Sequence, residues 1–399
     1  MTRRQQLRQA LRFQPTDRVP KDLGGMLSTG VSAFAYPGLV AALGLPYRRP
    51  RVYDTGQMLA LPDPDVLDAL DCDCAFVAAD ACCNLFDEPE RWHDYDFRGR
   101  LPARVMTQAA FADQPDGSIL QHGHSTMLPS SYVFSAPHGG QVLDLGAEPP
   151  REDLDALAAA LLQQRFTPER VAAIGEYCRR ARAASDRAIM FSGLSAGLGY
   201  RHGMAPFSML CLLDPGYVRE LHRILIDHAI AQAERLLPAI APYVDVLMLS
   251  ADDQGTQQAS ILPPGVYAEL FVPAYRRLND ACHRLAPEVF TFYHSCGAIY
   301  DLLDAVVEAG FDVLNPVQWS AGGHSYREWK DRCRGRLALW GGGVNTQSTL
   351  PLGSVEAVAD EVRRVVSTLS ADSGYVFCAI HNLLAEIPPE KILAMYRAA

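Results

Sequence analysis

Short apolar runs alternate with longer amphipathic stretches through the second half of the chain. Ala188-Ile189-Met190-Phe191 is one strand-like run, and a helical pattern follows from Pro215 to about Leu237. Asp245 to Leu249, Val289 to Tyr293, Phe311 to Leu314, Leu337 to Trp340 and Tyr375 to Phe377 are further runs. Between them, apolar positions recur at helical spacing from Pro263-Pro264 to about Arg284, from Ile299 to Glu308 and from Val355 to Thr368. A closing helix runs from Pro388 to Tyr396. Proline suits a first helical turn, where its missing N–H has no partner to lose. Upstream, Val19 to Leu23 and Ala75-Phe76-Val77 bring the strand-like runs to eight.

Strands alternating with helices predict a parallel sheet. Eight such units predict a closed barrel, so the expected fold is α/β, a TIM-type (β/α)8 barrel. Before about Arg151 the texture is irregular and punctuated by proline and glycine. Residues 97–142 break the alternation and read as an insertion, a β-hairpin excursion holding Ile119, Val133 and Val142. The expectation is one barrel domain over 1–399 with this N-terminal irregular region.

In such a barrel the working residues follow the strands. Asp80 follows the second run, and Ser192 and Gly193 the third. Asp252 and Asp253 follow the fourth, His294 and Cys296 the fifth, and Gln318 the sixth. Gly341-Gly342-Gly343, Asn345 and Gln347 follow the seventh, and Cys378 and His381 the eighth. Polar or ligand-type residues thus fall at nearly every predicted mouth position.

His294-x-Cys296 is the sharpest of these. Residues two apart on an extended segment point the same way, so an imidazole and a thiolate can converge on one ion. Zinc accepts mixed nitrogen and sulfur donors and takes a third protein ligand in catalytic sites. The bland alternative is a buried histidine beside a structural cysteine. A third ligand should come from another strand end: His381 or Cys378, or Asp252 or Asp253. The two aspartates also suit proton transfer or substrate orientation, against the alternative of a solvated turn cap. Gly342 and Gly343, with Asn345 and Gln347, can let backbone approach a cofactor, or simply turn tightly. Gln318, Tyr293 and Asp80 are candidate substrate contacts. Cys72-x-Cys74 and Cys82-Cys83 read as small buried hydrophobes. His122-x-His124 reads as a hairpin or lid feature.

Composition narrows the class without naming it. The 399 residues are 49% hydrophobic with a formal net charge of -10, which points away from a nucleic-acid partner. Ten cysteines spread through a chain with a polar start read as reduced thiols. No apolar run is long enough to span a bilayer. A cytoplasmic enzyme is expected, with a homodimer as one admissible assembly.

Several ordered motifs carry a family resemblance. They are Ser250 to Gln257, Tyr293-His294-Ser295-Cys296-Gly297, Asp312 to Gln318, Trp340-Gly341-Gly342-Gly343 with Asn345-Thr346-Gln347, and Cys378-Ala379-Ile380-His381-Asn382 before Ile387-Pro388-Pro389. With the opening Asp17 to Gly25, these resemble the uroporphyrinogen decarboxylase superfamily, in particular its methyltransferase-like branch serving corrinoid-dependent demethylation. The resemblance implies a TIM-type barrel. Decarboxylases of the family carry an arginine-rich motif after the first strand; here that place reads Leu23-Gly24-Gly25-Met26-Leu27-Ser28, without arginine. Zinc methyltransferases of the family use H-x-C plus a later cysteine, and His294 and Cys296 match the first two positions. The later position falls on His381, a departure from the zinc pattern, with Cys378 as its substitute. The resemblance therefore implies methyl transfer between a small O-, N- or S-methylated substrate and a corrinoid held on a partner protein, with zinc as Lewis acid. The rivals are a metal-free lyase acting on another carboxylate and a non-catalytic corrinoid- or ligand-binding module.

Overall fold

A computed structural model of the protein describes residues 1–79, 82–135 and 148–399. Seven parallel strands form one continuous sheet. They are β1 (Cys74–Ala78), β2 (Ala188–Ser192), β3 (Val246–Ala251), β4 (Phe290–His294), β5 (Val313–Asn315), β6 (Ala338–Trp340) and β7 (Tyr375–Val376), each bonded to the next. The gap between β7 and β1 is closed by the segment around Lys21, which bridges Phe377 and Cys72, parallel to both. The amide of Asp22 donates to the Phe377 carbonyl at 2.9 Å, that of Phe377 to the Pro20 carbonyl at 2.8 Å and that of Asp73 to the Lys21 carbonyl at 2.7 Å. The run at 19–23 is thus the eighth stave of the expected barrel. Pro20 lacks an amide to donate, which keeps the pairing short.

Alternation along each strand buries both faces. Ala188, Met190, Val246, Met248, Phe292, Val313, Ala338, Trp340 and Val376 fill the barrel interior. Ile189, Phe191, Leu247, Leu249, Tyr293, Leu314, Leu339 and Tyr375 pack outward against the helices. The N-terminal helix Arg3–Leu11 stoppers the lower end, sending Leu7 and Leu11 into the interior cluster. Its capping box, Thr2 with Gln5, fixes where it starts.

The lower rim is pinned by aspartates immediately before β1, β3 and β5. Asp73 accepts from the Lys21 amide at 2.8 Å, Asp245 from Ile189 at 3.0 Å and Asp312 from Thr291 at 2.7 Å. Each also has a basic partner: Arg18 for Asp73, Arg4, Arg8 and Arg182 for Asp245, and the His283 imidazole for Asp312.

Two expectations need correction. The long helix anticipated over 263–284 is two helices, Pro264–Leu270 and Val272–Leu285, because Pro273 cannot continue the first. The excursion is also larger than 97–142. A five-stranded sheet joins Val31–Ser32, Leu59–Ala60, Arg51–Asp54, Pro102–Met106 and Trp92–Asp96, so it draws on chain from both sides of β1. A three-stranded sheet follows with Phe111–Asp113, Ile119–Gln121 and Ser125–Met127. Val133 lies outside any strand, and Val142 lies outside the described residues. Among the described residues no helix is long and apolar enough to cross a membrane.

Candidate active site

His294 ends β4 on the same parity as Phe292, so its ring enters the barrel mouth while Tyr293 turns outward. His294 Nδ1 lies 2.7 Å from Asn315 Oδ1. The Asn315 amide is oriented because Nδ2 donates to the Trp340 carbonyl at 3.0 Å and Oδ1 accepts from Ser28 Oγ at 2.9 Å. Asn315 Oδ1 can only accept, so His294 carries its proton on Nδ1 and presents a bare Nε2 to the mouth.

Cys296 Sγ stands 3.5 Å from His294 Nε2 and 3.5 Å from His381 Nδ1. Asp253 completes the cluster: its Oδ1 is 3.6 Å from His294 Nε2 and accepts the Cys296 amide at 2.8 Å. Donor atoms of Asp253, His294 and Cys296 all lie within 4.8 Å of one another. The spacing suits a tetrahedral metal. With bonds of about 2.3 Å to sulfur and about 2.0–2.1 Å to nitrogen, two ligands of one zinc sit about 3.5 Å apart.

The electrostatics agree with that donor set. Burial pushes the His294 imidazole below its ordinary value, with Asp253 and Asn315 opposing. Burial and then His294 push His381 down to about 4. Both rings are therefore neutral, the form that donates a lone pair. Burial, reinforced by Asp253, pushes the Cys296 thiol up. A cation between these groups would reverse that penalty, since a coordinating thiol is deprotonated.

Local backbone explains the motif's glycine. Gly297 has φ +90°, and a Cβ there would sit 2.2 Å from the Gly255 carbonyl oxygen. The β3 and β4 loops can cross only with glycine at both places.

A bulge decides which aspartate reaches the cluster. The β3–β4 register shifts between Met248 and Ser250, so Ala251 rather than Ser250 stands opposite His294. Asp253 shares the parity of Ala251 and faces the mouth. Asp252 turns outward, where Tyr275 donates to its Oδ2 at 3.2 Å. Burial, resisted by that hydrogen bond and reinforced by Asp253, pushes the Asp252 carboxyl up to about 6.

Several other anticipated roles are not met. Cys378 has interior parity but sits lower in the barrel, fully buried, at the position a Gly341 Cβ would touch. Neither it nor His381 is among the residues whose donor atoms all lie within 4.8 Å of one another, although His381 Nδ1 is 3.5 Å from Cys296 Sγ. Tyr293 is bonded to the Tyr267 hydroxyl in the helix layer and is no substrate contact. Gln318 is buried and supports the motif from behind, its Oε1 accepting the Gly297 amide at 2.6 Å. Gly342 and Gly343 are tightly packed: Cβ atoms there would strike Val317 at 2.7 Å and the Phe377 ring at 2.3 Å. Asn345 caps a turn, accepting the amides of Gln347 and Ser348. Gln347 does line the mouth. Asp80 lies outside the described residues.

The cluster opens into a cavity of about 550 Å³ walled by Leu27, Ser28, Met248, Thr346, Asn382 and Leu384, among others. A second cavity of about 400 Å³ shares the lining residue Leu27 with it and is otherwise walled by Tyr53, Phe76, Ala78 and Met106, among others. Neither cavity is lined by a lysine or arginine. Residues 80–81 and 136–147 contain neither residue type. Ser28, Leu27 and Asn315 were not singled out in the sequence. Asn315 could have been, since it directly follows the run ending at Leu314.

A parallel barrel with convergent imidazole, thiol and carboxylate groups at its C-terminal end defines the class: a TIM-type α/β barrel with its polar centre at the mouth. The family profile described as Uroporphyrinogen decarboxylase (URO-D) matches residues 148–399, and the chain belongs to that family. Among curated proteins, uroporphyrinogen decarboxylase from Syntrophotalea carbinolica is 27% identical over 199 residues, covering 47% of this chain and 55% of that protein. The enzyme of the same name from Geotalea daltonii is 24% identical over 205 residues, covering 48% and 57%. The chain spans about half the length of the curated relatives it matches. A solved methyltransferase from Methanosarcina mazei has the same fold, with TM-score 0.57 and 16% identity, over 100% of this chain and 98% of that one.

Proposed function

We propose that this chain is a methyltransferase that moves a methyl group between a small methylated substrate and a corrinoid carried by a partner protein. One observation carries the reading: Cys296 Sγ stands at the tetrahedral ligand spacing, 3.5 Å, from both His294 Nε2 and His381 Nδ1 at the mouth of the barrel. His294, Cys296 and His381 would hold zinc, with Asp253 beside them. Zinc would act as a Lewis acid on the heteroatom bearing the methyl group.

The chain's own residues do the rest. Asn315 fixes the His294 tautomer, and Asp253 is placed to hold or accept a proton at the heteroatom. For demethylation, the carbon–heteroatom bond breaks with its electron pair on the heteroatom, which is then protonated. A corrinoid on a partner protein would supply cobalt(I) as the acceptor that provides the electron pair for the methyl group. The curated relatives named decarboxylases suggest a lyase instead. Against that stand the loop at 23–28, which contributes Leu27 and Ser28 to the mouth, and the lack of any lysine or arginine in either cavity. A polycarboxylate would find no counter-charge there.

The test is metal analysis joined to a cobalt(I) methylation assay. About one zinc per chain is expected, lost on Cys296→Ser. A protein purified without metal that still decarboxylates a substrate would sink the proposal. Zinc without any methyl transfer or binding to a corrinoid protein would favour a binding module.

A further inference from the structure

Asp22, on the stave at 19–23, is fully buried and is not among the residues that wall the cavity at the mouth. It sits in the barrel interior, bonded to Trp340 and Cys74. Burial pushes its carboxyl up, and hydrogen bonds from Cys74, Thr29, the Gly25 amide and Trp340 oppose this. Burying a carboxyl is costly unless its oxygens are matched, and both are matched here.

Each oxygen supports one side of Asn315. Oδ2 accepts from Trp340 Nε1 at 2.9 Å, and the carbonyl of the same Trp340 accepts from Asn315 Nδ2 at 3.0 Å. The indole also meets Phe292, two residues before His294 on β4, with ring centroids 5.5 Å apart at 82°. Oδ1 accepts from the Gly25 amide at 2.8 Å, where the loop at 23–28 begins, and the Gly24 amide closes that loop on the Thr29 carbonyl at 2.7 Å. A Cβ at Gly25 would lie 2.6 Å from Asp22 Oδ1, so the loop is packed directly on the carboxyl. The loop delivers Ser28, whose Oγ donates to Asn315 Oδ1 at 2.9 Å. Both arms therefore end on the one amide that meets His294 Nδ1, at 2.7 Å.

We propose that Asp22 is a positioning residue for the cluster, holding the Trp340 indole and the 23–28 loop so that Asn315 keeps the bare Nε2 of His294 aimed at the mouth. The proposal rests on the metal-binding reading of the site and deepens it. Asp22 acts through Trp340, Ser28 and Asn315. The alternative is a carboxyl that only ties the stave at 19–23 to β6. The two differ in what its loss would change: a structural tie moves the melting temperature alone, while a positioning residue also moves the His294 tautomer.

The experiment uses the full-length, metal-free protein, isotopically labelled in its histidine ring nitrogens. Two-bond proton–nitrogen NMR reads the His294 tautomer, with its signals assigned by their loss in His294→Gln. Competition against a chelator reads zinc affinity on the same samples. The parent should carry the His294 proton on Nδ1. Asp22→Asn offers one acceptor where the parent offers two, so one arm is lost whichever way the amide turns. Trp340→Phe removes the indole N–H and keeps an aromatic ring. Both variants should mix the two tautomers and weaken zinc. Groups that orient a metal-bound histidine contribute about 10–100-fold in affinity, so one step further out the expected loss is about three- to tenfold. In an Asp22→Ala background, Trp340→Phe should cost less than about twofold more, because its partner is already gone. Thr2→Ala uncaps the helix at the lower end of the barrel and should lower the melting temperature with no change in tautomer or zinc affinity. An unchanged His294 tautomer in Asp22→Asn and Trp340→Phe overturns the proposal, as does a change of equal size in Thr2→Ala. If the Asp22 variants do not fold, Trp340→Phe decides alone. If the parent binds no zinc while the tautomer shifts in the variants, the positioning of His294 stands and the metal reading fails. If the parent binds zinc and the variants match it in tautomer and affinity, the metal reading stands and Asp22 is a structural tie.

Discussion

Replacing Asn315 by alanine tests whether the site is built to hold a metal. The side chain makes three contacts: to His294 Nδ1 at 2.7 Å, to Ser28 Oγ at 2.9 Å and to the Trp340 carbonyl at 3.0 Å. Alanine removes the group that fixes the His294 tautomer and ring orientation. Partners of this kind typically contribute about 10–100-fold in metal affinity, or about 1.4–2.8 kcal/mol. Alanine also leaves the Trp340 carbonyl unpaired inside the barrel, costing about 1–3 kcal/mol of stability. Asn315→Asp separates the two effects. It keeps an acceptor for His294 but loses the donor to Trp340, so zinc affinity should survive while the melting temperature falls. The assay is competition for zinc against a chromophoric chelator, alongside thermal unfolding of the metal-free proteins. If Asn315→Ala binds zinc as tightly as the parent while His294→Ala does not bind it, the orienting role is wrong.

Cys378→Ser should retain zinc in the same chelator assay where Cys296→Ser loses it; equal losses would restore Cys378 as a ligand. Asp253→Asn should lower metal affinity or turnover at least about tenfold, with Asp252→Asn much milder, and the reverse order would refute the facing assigned by the β3 bulge. Gly297→Ala places a Cβ 2.2 Å from the Gly255 carbonyl oxygen at φ +90°. Strain of about 1–3 kcal/mol should lower its unfolding midpoint in urea, and an unchanged midpoint would show that the loops can separate. The ion pair with Asp312 raises the His283 imidazole above its ordinary value. A raised folded-state pKa gives stabilisation that is full below about pH 6.5 and fades as pH climbs through the folded value. The side chains are 35% and 33% exposed, so the effect is small. The melting gap between parent and His283→Gln should shrink from pH 6 to pH 8.5, and a gap that widens would contradict the pairing.

The barrel was legible because both faces of its strands are buried. Val246 to Leu249 reads as an unbroken apolar run because Val246 and Met248 enter the interior while Leu247 and Leu249 meet the helices. The stave at 19–23 was found by the same signal, although Pro20 leaves it too short to count as a regular strand. The two smaller sheets, one mixed and one antiparallel, were mostly missed. Their pieces, such as Leu59–Ala60, are two to five residues long and draw partners from distant parts of the chain. Nothing local in Arg51–Asp54 announces its parallel pairing with Pro102–Met106, which lies beyond the first barrel strand in the chain.

The site was legible in residue type and only partly in facing. His294, Cys296 and His381 came together because each follows a strand end, which sequence order alone can locate. Tyr293 was assigned to substrate although it alternates with His294, and two-residue periodicity forbids both from facing the mouth. Counting from Phe292 would have settled that. The same counting would have failed for the aspartates. Starting from Val246 and Met248, simple alternation sends Asp252 inward and Asp253 outward. The bulge between Met248 and Ser250 inverts this, and no residue in Val246 to Ala251 marks it. In the bulged register the Tyr275 hydroxyl, on the covering helix Val272–Leu285, meets both Ser250 Oγ at 2.9 Å and Asp252 Oδ2 at 3.2 Å on the outer face. The acidic residue at the centre is thus set by a register that local alternation does not reveal, and the outward Asp252 is matched by a tyrosine from a helix distant in sequence.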